Sequence, residues 1–147
     1  IVFVKILKHP YPIALLPTNT IFVVPPSLLL IGHLNLAPQP NSLYLFVLYG
    51  LMLIMLVYVL TKFPKILAQP FHPGFAALTF PLAISTLSSF RMAEYLLDNG
   101  YVTLSVIVDQ IFAVQLILAT AVIIFVCFQF IKKLHLSLSL TLKKAMI

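Results

Sequence analysis

The chain has 147 residues, 62% of them hydrophobic and only 8% charged, with a mean hydropathy of +1.13; soluble domains carry about 45–50% apolar and about 25% charged residues. That excludes a soluble globular domain, and because apolar runs of spanning length recur along the chain, a signal peptide does not account for it. The formal charge of +6 comes from basic residues at the ends of apolar runs and not on one amphipathic face, so it points to membrane orientation and not to nucleic acid.

Residues 1–6 are apolar and meet Lys5, Lys8, His9 and the Pro10-Tyr11-Pro12 break, which reads as the end of a preceding helix and a loop. The chain opens on isoleucine and those residues lack a helix start, so the expectation is a C-terminal fragment of one transmembrane domain. Segment 16–31, LPTNTIFVVPPSLLLI, is the first span. Pro17 lies where a first helical turn accepts proline, with Thr18 or Asn19 able to cap the free N–H groups. Pro25 and Pro26 then interrupt the run, so the span is bent or partly unwound, as suits an element facing a cavity.

Residues 32–42, GHLNLAPQPNS, contain no lysine, arginine or acid and read as a turn outside the membrane. Segment 43–62 is apolar all round; about 20 residues at about 1.5 Å each cross the hydrocarbon, and this helix reads as lipid-facing. Residues 62–71, KFPKILAQPF, read as a basic loop broken by Pro64 and Pro70. Segment 73–97 is the third span, with Pro81 near its middle and Asn99-Gly100 as its stop. Segment 102–131 is the fourth, longer than the hydrocarbon requires, so its first turns, with Asp109, lie at the interface. Residues 132–147 form a tail with Lys132, Lys133, His135, Lys143 and Lys144.

The lysines alternate: two precede the first span, two lie in the 62–71 loop and four in the tail, with none in the turns at 32–42 and near Asn99. By the positive-inside rule the C-terminus is cytoplasmic. A proline-broken span followed by a plain aliphatic one occurs twice, a weak internal repeat. The predicted fold is therefore an all-α integral membrane protein with four transmembrane helices as two helical hairpins.

The third span carries the most information. A proline at position 81 inside a helix leaves the carbonyl of Ala77 without a partner and opens that turn, at about 3 kcal/mol relative to alanine. At about 100° per residue, Phe80, Ile84, Leu87, Arg91, Glu94 and Asp98 fall within about 40° of one line. Ionisable groups on a spanning helix turn toward water or the protein interior, so this face reads as inward, with Phe80 on it either as a packed aromatic at a helix–helix contact or as a ring facing a pore. Ala76, Ala77 and Ala83 leave room beside the ring. Pore-lining candidates are Ala76, Ala77, Ile84 and Leu87; Arg91, Glu94 and Asp98 are vestibule charges or an ordinary interfacial ion pair at i, i+3. Asp109 is a further candidate partner for Arg91. Thr79, Ser85, Thr86, Ser88 and Ser89 either offer hydroxyls to an anion or bond to their own helix. His9, His33, His72 and His135 lie at membrane boundaries without ligand spacing, and the single Cys127 excludes a disulfide framework. No motif for an enzyme, a metal or another cofactor is present.

The segments LLPTNTIFVVPPSLLLI (residues 15–31) and FHPGFAALTFPLAISTLSSF (residues 71–90) resemble the seventh and ninth helices of the tellurite-resistance/dicarboxylate transporter family, which includes malate permeases and slow anion channels. The most specific piece is Ala77-Leu78-Thr79-Phe80-Pro81-Leu82, similar to the family's aromatic-Thr-Phe-Pro signature, supported by Pro17-Thr18 and Pro25-Pro26-Ser27. The resemblance implies a ten-helix, five-hairpin fold of which this chain holds the last four helices, with inner helices lining an anion pore, the missing N-terminal helices as partners, and often a homotrimer. It also implies that Phe80 plugs the pore and that Pro25, Pro26 and Pro81 kink the inner helices. The substrate class would be small anions: inorganic anions, tellurite or a C4-dicarboxylate such as malate, with selectivity set by a weakly positive field. A non-transporting membrane scaffold, or a proton-coupled carrier with Glu94 or Asp98 as relay, are the rival readings.

Overall fold

A computed structural model describes residues 13–145, with side chains from Pro17 to Leu136 apart from Thr18. The expected helix end at 1–6 and the first basic loop lie outside the described residues, as do the side chains of Lys143 and Lys144. Four stretches are long and apolar enough to cross a membrane: Asn19–Leu36, Ser42–Leu67, Pro73–Asp98 and Val102–Leu136. The protein is an all-helical, multi-pass membrane protein, and every regular element among the described residues is helical.

Two kinds of span alternate. Each inner span begins as a 3₁₀ helix and continues as an α-helix: 3₁₀ Ile13–Val23 into α1, Val24–Leu36, and 3₁₀ Pro73–Leu78 into α3, Thr79–Asp98. Each outer span is one α-helix: α2, Ser42–Leu67, and α4, Val102–Ala145. The prolines decide where the inner spans change form. Pro25 and Pro26 fall in the first turn of α1 and Pro81 is the third residue of α3, where an N–H has no intrahelical acceptor and its loss costs little. Pro81 therefore does not break an α-helix at its middle, as the sequence implied, but marks the start of one.

A 3₁₀ turn rises about 2.0 Å per residue against about 1.5 Å in an α-helix. The first inner span, 11 residues of 3₁₀ and 13 of α, is thus about 42 Å long; the second, with 6 and 20, also measures about 42 Å. Both match the full bilayer of about 40–45 Å, headgroups included.

The outer helices each bury one stripe. On α2 it is Leu45, Leu48, Tyr49, Met52, Leu56, Val59, Phe63 and Ile66; on α4 it is Ser105, Val108, Gln115, Ala119, Val122 and Val126. Steps of three, four and seven keep such a seam against its neighbour, while Val47, Ile54, Val57, Val114, Ile117 and Ile124 point outward. The two inner spans pack on each other, and α4 lies along α3 antiparallel, as Phe90–Phe112 at 5.4 Å, Ser105 Oγ donating to the Ala93 carbonyl (2.9 Å) and Phe75–Phe125 at 6.4 Å show.

Several boundaries differ from the sequence reading. Helix α4 continues through Lys132 and Lys133 to Ala145, so the part of the tail at 132–145 is helical; no proline or glycine follows Gly100 to stop it. Helix α2 runs through Pro64 to Leu67 and ends with Ala68 bonded to the Pro64 carbonyl (3.1 Å), Pro70 lying two residues beyond the cap. The turn read at 32–42 shrinks to 37–41, and its fold depends on His33. The Nε2 of His33 accepts from the Asn41 amide (3.2 Å), and Asn41 Oδ1 in turn caps α2 by accepting from the Tyr44 amide (3.2 Å). His72 has a matching local role, its Nδ1 accepting from the Gly74 amide at the head of the second 3₁₀ segment (3.1 Å). At the other turn Gly100 takes φ +80, a conformation that suits glycine.

Candidate functional site

Helix α3 has two faces of opposite character. One carries its hydroxyls into the packed interior, where each is spent on the protein. Ser85 and Thr86 donate to the Leu82 carbonyl (2.9 and 2.8 Å). Ser88 reaches the carbonyls of Ile84 (3.0 Å) and, across the helix interface, Ser27 (3.2 Å). Ser89 meets the Tyr49 hydroxyl at 3.2 Å. Thr79, two residues before Pro81, lies outside that interior and donates to the Ala76 carbonyl (2.8 Å). Of the two roles the sequence left open for these hydroxyls, the geometry supports bonding within the helices.

The opposite face is left uncovered by the other described helices. Phe80 is 56% exposed and Leu87 44%; Ala76, Ala83 and Asp98 are exposed, and Ala77, Ile84, Arg91 and Glu94 half-buried. The structure therefore places the aromatic ring, the small residues and the charges on one open strip running the length of the inner span. Pro81 itself is buried beneath it.

At the far end of the strip Arg91 is held from two sides. Its guanidinium donates to Glu94 Oε2 at 3.0 Å and to Asn35 Oδ1 at 2.6 Å. The second contact ties α3 to the last turn of α1 and had no sequence signal, because 56 residues separate the partners. Next to it Tyr95 and Ser42 share a hydrogen bond of 2.7 Å, joining α3 to the start of α2. Arg91, Glu94, Tyr95 and Asp98, with Leu34 and Pro40, line a cleft of about 390 Å³. Glu94 also borders a neighbouring cleft of about 430 Å³ that contains Ser105 and Asp109.

Among the described residues Arg91 pairs with Glu94 and not with Asp109. All three acids of the chain sit at this end with the single arginine, so its formal charge is negative. The lysines gather at the opposite end. Lys133 Nζ donates to the Phe71 carbonyl (3.1 Å) and lies 5.7 Å from the Phe71 ring centre; Lys62 lies over Tyr58 at 5.4 Å. Phe71 in turn meets Phe75 at 5.2 Å and Phe130 at 5.0 Å, closing an aromatic cluster under the second 3₁₀ segment.

The junction between 3₁₀ and α-helix in the second inner span is itself held from the first. Thr20 Oγ1 lies 2.7 Å from the Ala77 carbonyl and 2.8 Å from that of Pro17. Ala77 is four residues before Pro81, so this is the carbonyl that the proline leaves without an α-helical donor. The sequence pointed to this carbonyl but not to the Thr20 hydroxyl, which arrives from 57 residues away.

A family model described as voltage-dependent anion channel matches residues 1–131. No curated protein and no solved structure matched significantly.

Proposed function

Since the chain belongs to the voltage-dependent anion channel family, we propose that it contributes one wall of a pore for small anions, with Phe80 as the movable plug. The observation that carries this reading is the open strip of α3, on which an exposed aromatic ring sits between small residues on an otherwise packed helix. An anchor helix in lipid has no use for a 3₁₀–α junction beneath such a ring, whereas irregular backbone is accommodated where it faces protein or a water-filled path. The lining is apolar, so selectivity rests on pore width and on the field from helix ends and flanking charges.

In this reading the pore is completed by further hairpins of the same kind, and three copies assemble side by side through their outer helices. The lysine-bearing ends of α2 and α4 face the cytoplasm and the Arg91–Glu94–Asp98 end forms the external vestibule, by the positive-inside rule. The membrane is the plasma or inner membrane, and the substrate is a small monovalent anion or a C4-dicarboxylate.

Replacing Phe80 with alanine in the full-length protein tests the gate. Anion flux into liposomes should rise several-fold over the parent, with unchanged circular dichroism and elution volume. A correctly folded Phe80→Ala protein whose flux equals the parent's counts against a plug at this position.

A further inference from the structure

The gate reading leaves open what holds the ring in place. Phe80 makes no large buried contact of its own, being 56% exposed, yet the segment just before it is fixed on both sides of Ala77: Phe75 is 1% exposed and Leu78 is fully buried. Between them, the Ala77 carbonyl is the backbone group that Pro81 deprives of an α-helical donor. Thr20, itself 1% exposed, fills that role from the other inner span, its one hydroxyl hydrogen shared between the Ala77 and Pro17 carbonyls. The Thr20 bond therefore ties the 3₁₀–α junction of the second inner span to the first. Without it, the turn carrying Phe80 loses its polar tie to the neighbouring span.

We propose that Thr20 is a positioning residue for Phe80, acting through the Ala77 carbonyl so that the first hairpin sets the resting place of the ring on the second. This rests on the reading of Phe80 as the plug. The contact joins two different hairpins at the level of their 3₁₀ segments, while Ser88 and the Ser27 carbonyl join the same two spans further along. A shift between the two inner spans is thereby resisted along the α-helical part and transmitted at the junction next to the ring.

The test compares nitrate flux in liposomes for the full-length parent, Thr20→Val, Thr20→Ser, Phe80→Ala and the Thr20→Val/Phe80→Ala double variant. Valine keeps the shape and removes the hydroxyl, and serine restores it. Thr20→Val should raise flux several-fold toward the Phe80→Ala level, Thr20→Ser should match the parent, and the double variant should equal Phe80→Ala alone. A Thr20→Val protein with parental flux overturns the proposal, as does an equal further increase in the Phe80→Ala background, because Thr20 would then act without the ring. If Phe80→Ala leaves flux unchanged, the gate itself falls and the positioning role falls with it. Where valine is not accommodated, Thr20→Ala replaces it, and a fluorine label on the Phe80 ring supplies a second readout. Its resonance should move in the alanine variant and stay at the parental position in the serine variant; an unmoved resonance in the alanine variant also overturns the proposal.

Discussion

Replacing Gln115 with methionine should make the protein more stable. Gln115 is 6% exposed on the seam of α4 against α3, and neither its Nε2 nor its Oε1 has a partner. The antiparallel register set by Phe90–Phe112 and Phe75–Phe125 puts it level with Ser85 and Thr86, whose hydroxyl hydrogens are committed to the Leu82 carbonyl. Burying an amide without a partner costs about 1–3 kcal/mol by protein substitution data. In a bilayer the separated helices also find partners, so polar terms run smaller, about 0.6 kcal/mol on average. Methionine keeps the length and volume and removes both orphaned atoms, so the expected gain is about 1 kcal/mol, near the low end of the first range. For a chain of this size that is a rise in Tm of about 2–4 °C. The measurement is thermal unfolding in a mild detergent followed by circular dichroism, with Gln115→Leu as a second apolar variant. A methionine variant with the same or a lower Tm refutes the reasoning and means that the amide has a partner, such as a bound water.

Three further outcomes follow from other parts of the structure. Arg91→Gln removes a half-exposed ion pair, side chains 39% and 44% exposed, so stability should change by less than about 1 kcal/mol, while anion entry from that end, already negative, should become slower and more strongly restored by added salt in the flux assay. In a Cys127→Ser background, Asn99→Cys should react with a membrane-impermeant maleimide in intact cells and Lys65→Cys only after permeabilisation; the reverse pattern would invert the proposed orientation. Native Cys127 is exposed on the outer face of α4 within a membrane span, so a lipid-soluble thiol reagent should label it in membranes and a charged one should not.

The spans were legible because their signal is local. Four apolar runs, separated by prolines, asparagines and lysines, map onto four helices, and the face shared by Phe80, Leu87, Arg91 and Asp98 could be read by counting residues. The same count held a further result that the sequence reading did not draw. Ser85, Ser89 and Met92 stand opposite Phe80 on the wheel, and the structure buries all of them. The continuation of α4 past Ile131 was also visible, as a stretch without glycine or proline, but the lysines drew attention to charge and away from backbone propensity.

What was not legible is long-range. A proline at position 81 draws attention to the Ala77 carbonyl, yet nothing near Thr20 says that its hydroxyl meets that carbonyl, and nothing near Asn35 says that it accepts from Arg91. The two classes of helix also hold together by different means. The outer helices present apolar seams at steps of three, four and seven, whereas the inner pair meets through Thr20 with Ala77, Ser88 with Ser27 and Arg91 with Asn35. In lipid, apolar contact brings no hydrophobic driving force, so packing and hydroxyl–carbonyl bonds must set the register. Directional bonds between the inner spans fix their relative position at three points, one of them beside the ring, while the Phe80 ring itself stays 56% exposed on the opposite face of α3. A plug needs that arrangement: a rigid mount on one side and an uncommitted surface on the other.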